Sequence, residues 1–144
     1  MLREATLPEA KEAAQLALLL WPDNNLEAFI QEIKQIIAQP DSTIILAYHN
    51  SEAIGFAQCQ LRYDYVEGTS SSPVGYLEGL YVKEAFRKQG FAKNLVNTCE
   101  NWAKKKGCQE FASDCELENK ESLAMHLKLG FSEANRIICF KKML

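Results

Sequence analysis

The chain has 144 residues, of which 47% are hydrophobic and 24% charged, with a formal net charge of −3. That balance fits one globular domain able to bury a core, and the negative charge argues against nucleic acid as a partner. No apolar run approaches the roughly 18 residues of a membrane span, and Met1-Leu2-Arg3-Glu4-Ala5 lacks the pattern of an export signal. The expectation is a cytoplasmic protein without a membrane partner.

Residues 1–5 suit a short strand. Thr6-Leu7-Pro8-Glu9 reads as a helix start, with Thr6 as cap, Pro8 in the first turn and Glu9 completing a capping box. This helix runs to about Leu20, where Trp21-Pro22 ends it. Asp23-Asn24-Asn25 caps a second helix, in which Leu26, Phe29, Ile30, Ile33 and Ile37 recur at helical spacing, and Gln39-Pro40-Asp41 stops it. Thr43–Tyr48 and Ala53–Tyr65 read as two strands of a hairpin around His49-Asn50-Ser51-Glu52. A loop, 68–73, leads to a third strand, Val74–Val82. A long helix from about Gly90 to Lys106 buries Phe91, Leu95, Cys99, Trp102 and Ala103, with Lys104–Lys106 and Gly107 suiting its C-terminus. Glu110–Asp114 is a strand, Asn119–Leu129 a helix, and Phe131 onward, with Ile137, Ile138 and Phe140, a last strand. The order is βααβββαβαβ, an α+β fold with a mixed central sheet. The crossover from Val74–Val82 to Glu110–Asp114 makes those two strands parallel.

Five cysteines (Cys59, Cys99, Cys108, Cys115, Cys139) form an odd set without a C-x-x-C pair. Their spacing suits neither a disulfide framework nor zinc, so reduced, mostly buried thiols are expected. With only His49 and His126 besides, no metal site is expected.

Charge is unevenly distributed. Lys83–Lys106 carries seven basic and two acidic residues, whereas Gly107–Glu133 carries six acidic and two basic. Solvated helix faces and loops account for such blocks, but an anionic cofactor beside a cationic substrate would also need them. The segment from Leu77 to Ala92 takes a strand through a basic loop into a helix at R-x-x-G-x-A (Arg87, Gly90, Ala92). The first turn of a helix has free N–H groups and partial positive charge, so it binds pyrophosphate. Gly90 allows close approach, Ala92 keeps the entry narrow, and Arg87, Lys88 and Lys93 add charge.

In this strand–loop–helix context, followed by a second strand, Asn119 and Leu129-Gly130-Phe131, the motif resembles the GNAT superfamily over nearly the whole chain. The resemblance implies acetyl-CoA as co-substrate. Leu80, Tyr81 and Val82 would offer main-chain groups to the pantetheine arm. The loop Arg87, Lys88, Gln89, Gly90, Phe91, Ala92, with Lys93, would wrap the pyrophosphate, and Asn119 would bond the pantetheine region. Phe131 suits packing.

Trp21-Pro22, Asp64–Gly68, Ser71–Val74, Leu77-Glu78-Gly79, Ala112-Ser113-Asp114 and Asn119 are further similar to the chromosomal aminoglycoside 6'-N-acetyltransferases. That branch implies a substrate site of Trp21, Asn24, Tyr65, Glu78 and Asp114, and a homodimer built through the C-terminal strand. Aminoglycosides carry ammonium and hydroxyl groups, which need carboxylates and ring faces. Asp64, Glu67, Glu116 and Glu118 can extend the acidic surface. His126 stands where many GNAT enzymes have a tyrosine that protonates the leaving thiolate, so it is either that acid or a buried structural histidine. Asn135, with Glu133 near it, replaces an acid of the branch.

The implied reaction is direct transfer in a ternary complex. Glu78 either accepts the ammonium proton or simply binds the cation. The N–H of Tyr81 or Val82 polarises the thioester carbonyl, and no cysteine has an evident base beside it for a covalent route. Two alternatives remain open on sequence: a GNAT enzyme for a polyamine, amino acid or peptide N-terminus, and a non-catalytic acyl-CoA-binding module.

Overall fold

Five strands form one sheet in the order β1 (Leu2–Glu4), β2 (Ser42–His49), β3 (Glu52–Arg62), β4 (Val74–Val82) and β5 (Phe111–Ala112). The computed structural model describes all 144 residues. Neighbouring strands are antiparallel except β4 and β5, which are parallel as the crossover requires. Helices α1 (Ala10–Leu20) and α2 (Leu26–Ala38) cover one face, α3 (Phe91–Lys105) the other, and α4 (Lys120–Lys128) follows β5.

Strand β2 shows why two covers are needed. Its side chains alternate between faces, with Ile44 and Leu46 in the α1/α2 core and Ile45 and Ala47 in the α3 core. From Ser42 to Tyr48 every residue is buried, and from Ile44 to Tyr48 the strand reads as a continuous run of hydrophobic residues.

The first helix starts differently from its sequence pattern. Leu7–Glu9 is a 3-10 turn and the α-helix begins at Ala10. The capping box holds all the same: Glu9 Oε1 accepts from Thr6 N at 2.7 Å and from Thr6 Oγ1 at 2.6 Å. Glu9 is buried and ion-paired with Arg3. The hydrogen bonds from Thr6, reinforced by Arg3, hold its carboxyl below the usual carboxylate range. Asn25 is the residue that caps α2, accepting from Ala28 N at 3.1 Å.

Three sequence expectations are corrected. The last strand does not form: residues 131–144 carry no regular structure, and Ile137, Ile138 and Phe140 are exposed. β5 is only two residues long, which leaves little edge for another strand to pair with. The hairpin's return strand ends at Arg62 rather than Tyr65. The cysteines are not uniformly buried thiols. Cys115 and Cys139 are exposed and Cys108 is half-buried, while Cys59 and Cys99 are fully buried and face each other between β3 and α3. Their Cα atoms are 6.3 Å apart, within disulfide reach.

Glu9→Gln is expected to lower stability at neutral pH by about 1 kcal/mol. Folding lowers the Glu9 pKa, so its stabilisation is present above the unfolded carboxylate pKa and lost as pH falls through the folded value. Thermal unfolding from about pH 7 to about pH 3 should therefore lose more stability in the parent chain than in the variant.

Candidate active site

β4 pairs with β5 only at Gly75 and Tyr76. Beyond them, Leu77–Val82 has β3 on one side and no strand on the other. The register with β3 slips at this point, Gln58 facing Gly79 and Cys59 facing Leu77, so Glu78 is an extra residue in β4. The bulge lets Glu78 and Gly79 both serve the face that carries Arg62 and Trp21; in a regular strand they would point apart. A Cβ on Gly79 would lie 2.5 Å from Trp21 Cη2, so only glycine fits there.

The open edge offers backbone groups. Lys83 N–H donates to Ile54 O on β3 at 2.8 Å. By the alternation of an antiparallel ladder, Tyr81 also turns its main chain toward β3, leaving Leu80 and Val82 N–H on the open side. Of the two candidate donors, Val82 is thus the available one.

Glu78 is not a free carboxylate. Arg62 grips it with Nη2 to Oε1 at 2.7 Å, Nη2 to Oε2 at 2.9 Å and Nε to Oε2 at 3.1 Å. The Arg62 guanidinium lies 3.4 Å from the ring centre of Tyr76, and the Tyr76 hydroxyl donates to Asp114 Oδ2. Glu78 and Asp114, 36 residues apart in the chain, are therefore joined through Arg62 and Tyr76. Burial opposes the Arg62 charge, but the Glu78 bonds outweigh it and raise its pKa. Burial, with the bond to Asp114, likewise pushes the Tyr76 hydroxyl up, so it stays a donor.

His126 reaches the same strand. Its Nδ1 lies 2.7 Å from Ser122 O and its Nε2 lies 2.8 Å from Ser113 Oγ, which also contacts Leu77 O at 3.3 Å. A carbonyl only accepts, so Nδ1 carries a proton, and the Ser113 hydroxyl sits between the imidazole Nε2 and the Leu77 carbonyl. Phe131 packs on His126 and Phe111, as its packing assignment anticipates. Asn119 caps α4 by accepting from Ser122 N at 3.1 Å, with its amide nitrogen left over.

The basic loop fits an anion. Lys88 (φ 61°) and Gly90 (φ 87°) are left-handed, and Asn94 N–H to Gly90 O is the first helical bond of α3. The N–H groups of Phe91, Ala92 and Lys93 come before it, and no side chain caps them. A Cβ on Gly90 would meet nothing, so its φ is what calls for glycine. Arg87 folds back, donating from Nε to Val82 O at 2.8 Å, while Lys88, Gln89 and Lys93 are exposed.

The remaining residues are less convergent. Trp21 is half-buried, edge-on to Phe29 and Phe56, and lies over Gly79 beside Glu78. Asn24 is exposed and donates to Trp21 O. Tyr65 is exposed on the loop after β3, its hydroxyl accepting from Gly68 N, with no contact to Glu78 or Asp114. Asp64, Glu67, Glu116 and Glu118 are exposed. Glu67 accepts from Asn135, and Glu133 pairs with Arg136, which lowers its pKa. Arg62 and Tyr76 were not singled out from sequence, and Ser113 was named only within the Ala112-Ser113-Asp114 stretch. For the first two, an arginine and a tyrosine on adjacent predicted strands were the only signal.

A parallel pair that splays open, a bulge at the splay, and an uncapped helix start behind a basic loop describe an acyl-CoA-dependent transferase. The Acetyltransferase (GNAT) family model matches residues 10–131, and the chain belongs to that family. Among its relatives, an aminoglycoside N(6')-acetyltransferase type 1 of Acinetobacter genomosp. 13 is 48% identical over 128 residues, covering 88% of this chain and 87% of the relative. Its counterpart from Acinetobacter haemolyticus is 40% identical over 141 residues, covering 98% and 97%. A solved structure of AAC(6')-Iy in complex with the bisubstrate analog CoA-S-monomethyl-acetylneamine superposes with a TM-score of 0.96 at 35% identity. It covers 100% of this chain and 98% of that one.

Gly79→Ala forces Trp21 to move and is expected to cost about 1–3 kcal/mol. A lowered thermal midpoint with altered tryptophan fluorescence would bear this out; an unchanged midpoint would contradict the close packing.

Proposed function

We propose that the chain transfers acetyl from acetyl-CoA to the 6'-amine of an aminoglycoside, and so confers antibiotic resistance. The observation that carries this is the joining of Glu78 and Asp114 at the point where β4 leaves β5. Two carboxylates beside an open strand edge suit an amine-rich acceptor. The names of the relatives support the same acceptor.

The residues fit acetyl-CoA, which supplies an activated acyl thioester. Leu80 and Val82 would hold the pantetheine arm along the free edge, with Tyr81 contributing through its side chain and Asn119 through its amide nitrogen. Arg87, Lys88, Gln89, Gly90, Phe91, Ala92 and Lys93 would hold the pyrophosphate. Val82 N–H is the donor available to polarise a carbonyl.

On the acceptor side, Glu78 acts as a cation ligand. Three bonds from Arg62 already fill most of its lone-pair positions, which suits holding an ammonium better than removing a proton. Asp114 is exposed and keeps one oxygen for substrate. Trp21, Asn24 and Tyr65 would face the sugar rings. His126 holds Ser113, next to Asp114, so its part is to support the site and not to donate an acid proton.

Residues 1–144 act as one domain, in the cytoplasm where acetyl-CoA is made. No helix is long and apolar enough to cross a membrane. Exposed Ile137, Ile138, Phe140 and Met143 give a second copy of the chain an apolar segment to cover, which supports a homodimer.

Thiol release from acetyl-CoA should occur with kanamycin or tobramycin and not with spermidine or a short peptide, and mass spectrometry should find the acetyl on the 6'-amine. Absence of aminoglycoside turnover would overturn the acceptor assignment. Glu78→Gln should raise the aminoglycoside KM about tenfold while kcat changes little; a collapse of kcat alone would make Glu78 the base. Sedimentation should give a dimer that Phe140→Asp weakens, and a parent chain that is monomeric would refute the homodimer.

A further inference from the structure

We propose that Arg62 is the positioning residue of the acceptor site, fixing the Glu78 carboxylate in one orientation and tying it through Tyr76 to Asp114. This rests on the reading of Glu78 and Asp114 as the residues that meet the amine.

Glu78 sits on a bulge, which aims its side chain onto this face but interrupts the ladder with β3 that would otherwise hold the backbone there. Its side chain is only 19% exposed, so an unpartnered carboxylate there would be costly. Arg62 addresses both problems. The last residue of β3, it pairs in register with Val74 and reaches along the strand to Glu78, contacting both carboxylate oxygens. The guanidinium is held in turn by the face of Tyr76, and Tyr76 is buried with its hydroxyl on Asp114. A planar fork lying on a ring has one orientation, and it passes that orientation to the carboxylate. The positive charge of Arg62 is neutralised by Glu78, so Asp114 keeps the site anionic toward a cation. Lysine would supply the charge without the fork.

Because Arg62 acts through Glu78, its effect should depend on Glu78. The test is a double-mutant cycle of Arg62→Gln and Arg62→Lys, each in the parent chain and in Glu78→Gln. Calorimetry with CoA present reads kanamycin affinity, and steady-state kinetics reads kcat and KM. Both Arg62 variants are expected to weaken kanamycin binding and lower kcat/KM about tenfold. CoA affinity should not change, and in Glu78→Gln the same substitutions should have less than about a twofold effect. Equal losses in both backgrounds would make Arg62 a fold element and overturn the proposal. Full kcat/KM in Arg62→Lys would overturn it too, by showing that charge alone suffices. Should Arg62→Gln not fold, Arg62→Lys carries the cycle. If the parent chain acetylates spermidine or a peptide instead, the acceptor assignment fails, and the cycle read with that amine still decides the role of Arg62.

Discussion

A strand with one unpaired edge must find other partners for its N–H and C=O groups, and β4 is in that position from Leu77 to Val82. The divergence begins where Glu78 is inserted as an extra residue opposite β3. Because β4 and β5 are parallel and joined through α3, their splayed ends open beside the start of that helix. Three features therefore meet at this end of the sheet: free backbone donors, a helix start without a cap, and a carboxylate that the bulge turns onto the α1/α2 face. The core makes this tolerable. From Gly55 to Gln60 β3 is paired on both sides, so β4 is anchored by one neighbour while its other edge stays free.

The polar side of the site is arranged so that no charge in it stands alone. Glu78 meets Arg62, Arg62 lies on Tyr76, and Tyr76 donates to Asp114. Each member is held by the one before it, and the chain ends on an exposed carboxylate. His126 and Ser113 brace the opposite wall, since Ser113 touches both the imidazole and the Leu77 carbonyl. An acceptor with several ammonium groups would meet acids whose directions are already set. The entropy of orienting them is lost on folding rather than on binding.

Much of this was legible in the sequence because it depends on local chemistry. Caps, proline stops and the 3.6-residue period gave α1, α2 and α3; β-branched, apolar runs bounded by turn residues gave β2, β3 and β4. The R-x-x-G-x-A turn could be placed because its glycine requirement is a backbone property of that position. Glu78, Asp114 and His126 were named through the resemblance to the acetyltransferase branch, whose motifs are short and stay local in the chain. Arg62 and Tyr76 were not, since their contacts depend on the β3–β4 register and the bulge. A slip of one residue would put Arg62 on the other face, and nothing local fixes the slip. The buried meeting of Cys59 and Cys99 was hidden for the same reason: 40 residues separate them, and only the packing of α3 on β3 brings them together.

The missing last strand follows a different logic. Ile137, Ile138 and Phe140 were read as part of a last strand, but apolar composition does not itself supply a sheet edge to pair with. In the single chain β5 is two residues long, α4 contains no buried residue, and Ile138 and Phe140 are 80% and 90% exposed. The C-terminal segment after α3 is thus the part of the molecule with least core of its own. It is also the part that carries Asp114, Ser113 and His126. Asp114 lies just two residues beyond the end of β5, so the acceptor side of the site is carried by this thinly packed segment.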